Sequence, residues 1–205
     1  MLAKYEIDSS EVHYEEGSND LVLKNKLGIT DPSDMDEIES DLLLRLYEKV
    51  LFEEPLPNTL SFESILKWHS QWLGNIYDWA GKVRSTNLSK GGFHFAIANQ
   101  LKKLTTEFEA DYLYQFKALE QLNRNEFVKY LTKSHIDFIL IHPVRDGNGR
   151  LSRLLMDVMA VKAGYQPLDY SLWDQNKDFY FKSIQAGVTD NYQHLARLIE
   201  DILPN

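Results

Sequence analysis

The residues best suited to chemistry lie in one run, His142-Pro143-Val144-Arg145-Asp146-Gly147-Asn148-Gly149-Arg150-Leu151-Ser152-Arg153. His142 is the one side chain there whose ordinary pKa suits it to take a proton at neutral pH. Gly147 and Gly149 precede a segment of helical period. Glycines in that place let backbone N–H groups converge on one point, and with the helix N-terminus they make a site for an anion. Asn148 between them tolerates left-handed angles and offers an amide donor. Arg150 and Arg153 are three apart in the first turns of the new helix, so both guanidinium groups fall on one face near that anion. Asp146 is placed to hold a divalent cation against phosphates, since Mg²⁺ typically uses one or two carboxylates plus phosphate oxygens. A base, a metal carboxylate, an anion cradle and two arginines describe nucleotide or phosphoryl transfer.

Each part alone has an ordinary explanation. A His at a helix end is more often a cap or a core residue, paired arginines are usually solvated, and two glycines usually make a turn. Their concurrence in one loop would need a separate accident for each. The other histidines, His13, His69, His94, His135 and His194, show no metal-ligand spacing and are read as structural or surface residues.

The elements that must position this loop are mostly helices. Asp31-Pro32-Ser33 reads as a helix start, continued by Ile38, Leu42, Leu46 and Val50 and stopped by Pro55 and Pro57. A second helix runs from about Ser61 through Phe62, Ile65, His69, Trp72 and Leu73 to Gly74. Between Val83 and Phe95, VRSTNLS and FHFA flank Lys90-Gly91-Gly92, a hairpin signal. Helical spacing returns over 101–116. Asn123 with Glu126 resembles a capping box for a helix ending near Ile141, before His142-Pro143. Further helices are expected from about Gly149 to Gly164, over 174–186 and over 192–203. The expected fold is mainly α: a helical bundle with a central helix–loop–helix and one β-hairpin. It forms a single domain over 1–205, with a polar lead-in over 1–30 and a helical core over 31–205 carrying the hairpin near 83–95.

Composition narrows the class. The chain has 205 residues, 43% hydrophobic and 26% charged, with a formal charge of −9 and no cysteine. It is therefore globular, cannot form disulfides or thiolate metal sites, and is a poor candidate for broad nucleic-acid binding. The N-terminus lacks a signal-peptide layout, and the longest purely apolar run is Phe138 to Ile141, far short of a membrane span. A cytoplasmic location is expected, with no direct nucleic acid or membrane partner.

The run from His142 to Arg153 resembles the signature of Fic (filamentation induced by cAMP) domains: His, any, Phe, any, Asp or Glu, Gly-Asn-Gly-Arg, any two, Arg. One fixed position differs, Val144 in place of Phe. The resemblance extends to Trp72-Leu73-Gly74-Asn75-Ile76-Tyr77-Asp78-Trp79-Ala80-Gly81 with Arg84, and to Ser89-Lys90-Gly91-Gly92-Phe93 with Phe95, which looks like the family's flap. Tyr14-Glu15-Glu16-Gly17-Ser18-Asn19 and Leu23-Lys24-Asn25-Lys26-Leu27-Gly28 are similar to the N-terminus of bacterial Fic toxins of toxin–antitoxin pairs.

The resemblance implies a protein adenylyltransferase that moves AMP from ATP to a Tyr, Ser or Thr hydroxyl of a target protein and releases pyrophosphate. It implies His142 as base, Asp146 as the Mg²⁺ carboxylate, and Gly147, Asn148 and Gly149 around the α- and β-phosphates. Arg150 would meet the β-phosphate and Arg153 the γ-phosphate. Lys90, Gly91 and Gly92 would clamp the target main chain by strand addition and border the nucleotide, and Lys24 and Asn25 would edge the adenine. DNA gyrase or a topoisomerase IV subunit is the target class it suggests. No segment matches the family's inhibitory helix: Glu16 has Val12 four earlier, Glu200 has Ala196, and Thr105 with Glu109 continues into Ala110. A separate small antitoxin is therefore expected. The alternatives are a catalytically weak peptide-binding module on the same fold, a Doc-like protein kinase, and branches that transfer phosphocholine or UMP.

Overall fold

The computed structural model describes residues 6–7, 13–53 and 55–204. The rest of the expected lead-in, including Val12, lies outside these residues. Helix α1 (Pro32–Glu48) starts where Asp31 caps it, accepting from the N–H groups of Ser33 and Asp34, with Pro32 at the first turn. It was expected to continue to Val50; beyond Glu48 it widens into a π-helical turn over Lys49–Glu53. Helix α2 (Phe62–Leu73) has Ser61 as its cap and ends at Gly74, as the spacing indicates.

Strands β2 (Leu88–Lys90) and β3 (Phe93–His94) form the hairpin. Gly91 and Gly92 both have positive φ, the requirement of its two-residue turn. The sheet holds one strand more than expected. Residues Glu6–Ile7 form β1, which pairs antiparallel with the outer edge of β2 (Glu6 with Ser89, Ile7 with Leu88), giving the order β1-β2-β3.

Helix α3 (Leu101–Asp111) stops short of residue 116. The chain tightens at Tyr112 into 3₁₀ turns over Leu113–Gln121, and the Tyr112 hydroxyl donates to Asp137 on α4. Helix α4 (Arg124–Ile141) carries the expected capping box of Asn123 and Glu126. Helix α5 (Asn148–Lys162) follows the glycine loop. The single helix expected over 174–186 is two, α6 (Ser171–Gln175) and α7 (Lys177–Ala186), broken at Asn176. Asn176 leaves helical angles (φ −122°, ψ 42°), while its backbone N–H and its side-chain amide both donate to the Leu172 carbonyl. Helix α8 (Gln193–Ile202) closes the chain.

Helices α4 and α5 form the centre. Leu131 and Phe138 on α4, and Leu151, Leu154 and Val158 on α5, are fully buried, as are Trp72, Phe108, Phe116, Phe127 and Trp173 around them. Burying each such side chain contributes on the order of 1.5–3 kcal/mol. The loop between α4 and α5 is thus fixed at both ends by the tightest part of the core. Among the described residues no helix is long and apolar enough to cross a membrane.

Candidate active site

The loop begins at His142, the residue that ends α4. Its backbone is left-handed, with φ of 50° and ψ of 60°, a conformation unusual for a side chain with a Cβ. Arg84 holds it there. Arg84 is buried and donates through Nε to the His142 carbonyl at 2.7 Å, and through its terminal nitrogens to the carbonyls of Ile141, Ala96 and Thr86. One guanidinium therefore ties the end of α4 to both sides of the hairpin. Burial among carbonyls lowers its pKa to about 10.

The His142 ring is oriented by two contacts. Nδ1 lies 3.0 Å from the Ile139 carbonyl, and the ring stacks on Phe95 with centroids 3.7 Å apart. A carbonyl can only accept, so Nδ1 carries the hydrogen and Nε2 holds the basic lone pair. Burial pushes the His142 pKa down to about 3, with help from the nearby charges of Arg84 and Lys90. The imidazole is neutral at physiological pH, the state a proton acceptor needs.

After Pro143 the chain is pinned by Asn148. Its fully buried side chain donates to the Val144 carbonyl at 2.7 Å and accepts from the Val144 N–H at 3.0 Å. The amide expected to serve a ligand is engaged inside the loop, and the left-handed residue is Gly147 (φ 80°) rather than Asn148. What Asn148 can offer a ligand is its backbone N–H at the start of α5. Val144 is itself fully buried, so this side chain anchors the loop where the family signature has Phe.

Gly147 is required by contact as well as by φ, because a Cβ there would lie 2.6 Å from the Trp72 ring. Beside it, His69 joins two segments. Its Nδ1 accepts from the Gly81 N–H at 2.9 Å, so Nε2 carries the hydrogen and donates to the Asp146 carbonyl at 3.1 Å. Burial lowers the His69 pKa to about 4. This histidine, expected to be structural or superficial, locks the motif loop against the turn that follows α2.

No side chain caps the N-terminus of α5, and a Cβ at Gly149 would meet nothing within 4 Å. The Asp146 carboxylate accepts from the Gly147 N–H at 2.6 Å through Oδ1. Among the described residues no group of three acidic or histidine side chains converges to bind a metal. A cation at Asp146 would take one protein carboxylate and fill its shell with phosphate oxygens and water, which suits Mg²⁺.

The two arginines are both held. Arg150 donates to Glu39 Oε2 at 2.7 Å, and its guanidinium lies 4.5 Å from the Trp72 ring centroid. Arg153 makes a two-point contact with the carboxylate of Asp174 on α6, at 2.9 and 3.2 Å, and lies over Tyr170. The carboxylate on Arg153 is thus an aspartate downstream of the motif. Glu109, whose spacing from Thr105 matches part of the inhibitory pattern, accepts from the Phe62 N–H at the start of α2.

On the hairpin, Lys90 is half-buried. Its pKa is lowered by burial, while the charge of Asp146 works in the opposite direction. Its ammonium lies 5.6 Å from the ring of Phe181 on α7. Gly91 and Gly92 are open. Lys24 and Asn25 line a separate hollow of about 190 Å³ with Trp79 and Arg145, and with none of Lys90, Gly91, Gly92 or Arg153. The Asn25 side chain is spent within its own loop, on Glu15, Leu23, Leu27 and Ile29.

Residues 59–160, half of the chain, match the model of the Fic/DOC family. The chain belongs to the Fic/DOC family. It is 30% identical over 158 residues to the protein adenylyltransferase VbhT of Bartonella schoenbuchensis, an alignment covering 73% of this chain and 32% of VbhT. It is 28% identical over 190 residues to the probable protein adenylyltransferase y4lH of Sinorhizobium fredii, covering 87% of this chain and 91% of y4lH. The chain thus spans about a third of VbhT and most of y4lH. Among solved structures, the BepC protein of Bartonella tribocorum with bound AMPPNP superposes with a TM-score of 0.77 at 26% identity, covering 94% of this chain and 96% of that one.

The Fic motif was legible in the sequence, but several residues that hold it were not. Sequence alone does not single out Glu39, Asp174 or Phe181, reads His69 only as structural or superficial, and gives Arg84 no role. A signal existed for Glu39. It falls four residues after Met35 and seven before Leu46, so a carboxylate stands in the buried stripe of α1.

Proposed function

We propose that this chain is a protein adenylyltransferase, transferring AMP from ATP to a hydroxyl side chain of another protein. The observation that carries this reading is the His142 ring, tied through Nδ1–H so that Nε2 is basic, at the mouth of a glycine loop that opens on an uncapped helix N-terminus. In the reaction, Nε2 takes the proton of the target hydroxyl. The hydroxyl oxygen attacks the α-phosphorus of ATP, the bond from that phosphorus to the bridging oxygen breaks, and pyrophosphate leaves. The backbone N–H groups at the start of α5 face the charge that develops, a fixed electrostatic contribution in a partly dry site.

Arg150 meets the β-phosphate, and Arg153 meets the γ-phosphate once it leaves Asp174. Asp146 would hold Mg²⁺, which would neutralise phosphate charge. Lys90 borders the nucleotide with Phe181 across from it. Lys24 and Asn25 would edge the base from the hollow they line with Trp79 and the motif residue Arg145.

The target segment adds as a strand to the sheet that carries the hairpin. With β1 on the outer edge of β2, it adds beside β3 or replaces β1. A cytoplasmic toxin held by a separate antitoxin, with gyrase or topoisomerase IV as target, extends this reading on the strength of family likeness. The names of VbhT and y4lH and the AMPPNP bound by BepC support the chemistry.

The test incubates purified protein, Mg²⁺ and a bacterial lysate with ATP labelled at either the α- or the γ-phosphate, beside a His142→Ala variant. Label from the α-phosphate alone, lost in the variant, is expected. Label from the γ-phosphate would make the chain a kinase, and label that survives the substitution would remove His142 as base.

A further inference from the structure

We propose that Glu39, on α1, is a positioning residue for Arg150, setting the guanidinium in place for the polyphosphate before any nucleotide arrives. Glu39 is 5% exposed and 111 residues upstream of its partner, yet three groups converge on it. Arg150 donates to Oε2 at 2.7 Å, the Tyr77 hydroxyl donates to Oε1 at 2.8 Å, and the Trp72 indole N–H donates to the Glu39 backbone carbonyl at 2.8 Å. The face of the same Trp72 ring carries the Arg150 guanidinium. The arginine is therefore fixed from two directions, by a carboxylate at its edge and an indole against its plane. Its side chain is still 37% exposed, so solvent and a ligand can reach it.

Stability alone does not account for this arrangement. Taking a carboxylate out of water is costly, and buried ion pairs can often be replaced by apolar residues without loss of stability. An arginine stem has many rotamers, and a ligand that must order it binds more weakly than one that finds it ordered. Glu39 does that ordering in advance. Burial raises the Glu39 pKa while Arg150 lowers it, and the nearby charge of Asp146 opposes Arg150. The carboxylate therefore depends on Arg150 as its counter-charge.

The proposal rests on the reading that Arg150 touches phosphate, and its test separates the two. The full chain is titrated with Mg²⁺–AMPPNP by calorimetry as wild type, Glu39→Gln, Arg150→Gln and the double variant. Glu39→Gln is expected to weaken binding roughly 10-fold, and the double variant to bind no more weakly than Arg150→Gln alone. Equal losses from Glu39→Gln in both backgrounds would make Glu39 a support of the fold and overturn the proposal. So would unchanged affinity in Glu39→Gln. Wild-type protein that does not bind AMPPNP would defeat the nucleotide reading itself, and this proposal with it. If Glu39→Gln fails to fold, Tyr77→Phe removes one hydroxyl donor to the same carboxylate. A smaller loss, again absent beside Arg150→Gln, is then expected, and a loss present in both backgrounds refutes it.

Discussion

Two glycines of the motif are expected to fail in opposite ways when each is given a methyl group. At Gly147 the new Cβ would lie 2.6 Å from Cζ3 and 2.9 Å from Cη2 of Trp72. Carbon atoms in contact prefer about 3.5–4.0 Å, so the ring or the loop must move by roughly 1 Å. Trp72 is fully buried, bonded to Glu39 and covered by Arg150, so the movement reaches the arginine. The left-handed backbone costs an alanine about 1–2 kcal/mol, and overpacking adds about 1–3 kcal/mol. For a chain of this length each kcal/mol lowers Tm by about 2–4 °C, so Gly147→Ala should melt roughly 5–20 °C lower. A 1 Å misplacement near reacting groups also costs on the order of 100-fold in rate.

At Gly149 a Cβ meets nothing, and the residue lies inside α5, where alanine is favoured over glycine by about 0.5–1 kcal/mol. Gly149→Ala should keep or raise Tm, yet lose nucleotide affinity because its methyl group enters the space a phosphate must cross. The assays are thermal melting, AMPPNP titration and α-label transfer. A Gly147→Ala protein with wild-type Tm and rate, or a Gly149→Ala protein that binds AMPPNP normally, would refute this account of the loop.

Further outcomes follow from charge. Asp174→Asn releases Arg153, and an ion pair of this exposure is worth about 0.2–1 kcal/mol, so AMPPNP should bind about 1.4- to 5-fold more tightly while ADP is unchanged. Equal effects on both nucleotides would separate Arg153 from the γ-phosphate. His135 is fully buried with a pKa lowered to about 3, and it contacts the Tyr180 hydroxyl at 2.8 Å. In the unfolded chain it takes up a proton as pH falls through about 6.5, and the folded chain does not until about 3. Stability is therefore present above pH 6.5 and lost on acidification. Urea titrations of His135→Phe between pH 6 and 4 should lose about 1.4 kcal/mol per pH unit less than wild type. Parallel acid slopes for the two proteins would mean that His135 is charged when folded.

The sequence made the motif loop readable because its residue types are contiguous: histidine, aspartate, glycines and arginines follow one another, and although each alone has an ordinary reason to be there, their concurrence does not. Helix ends with local causes were readable too, as Asp31, Ser61 and Asn123 show. What escaped depended on distant partners. Arg84 finds its carbonyls 57 and 58 residues away, and His69 finds Asp146 77 residues away. Strand β1 is a two-residue pairing inside a polar lead-in, with no period to announce it. The break at Asn176 is one residue leaving helical angles, with φ of −122° and ψ of 42°. Helical spacing gave no warning that Asn148 would spend its side chain on Val144.

The carboxylates that hold the two motif arginines, Glu39 and Asp174, both fall outside residues 59–160, the stretch by which the family is recognised. Chemistry and readiness are therefore written in different parts of the chain. A relative could keep every residue of the loop and still differ in how well Arg150 is set in place or how firmly Arg153 is detained, by changing one acidic side chain on a flanking helix. Evolution can thus tune the idle state of such an enzyme without touching its reaction, and an excised loop-bearing fragment would carry the motif without its restraints.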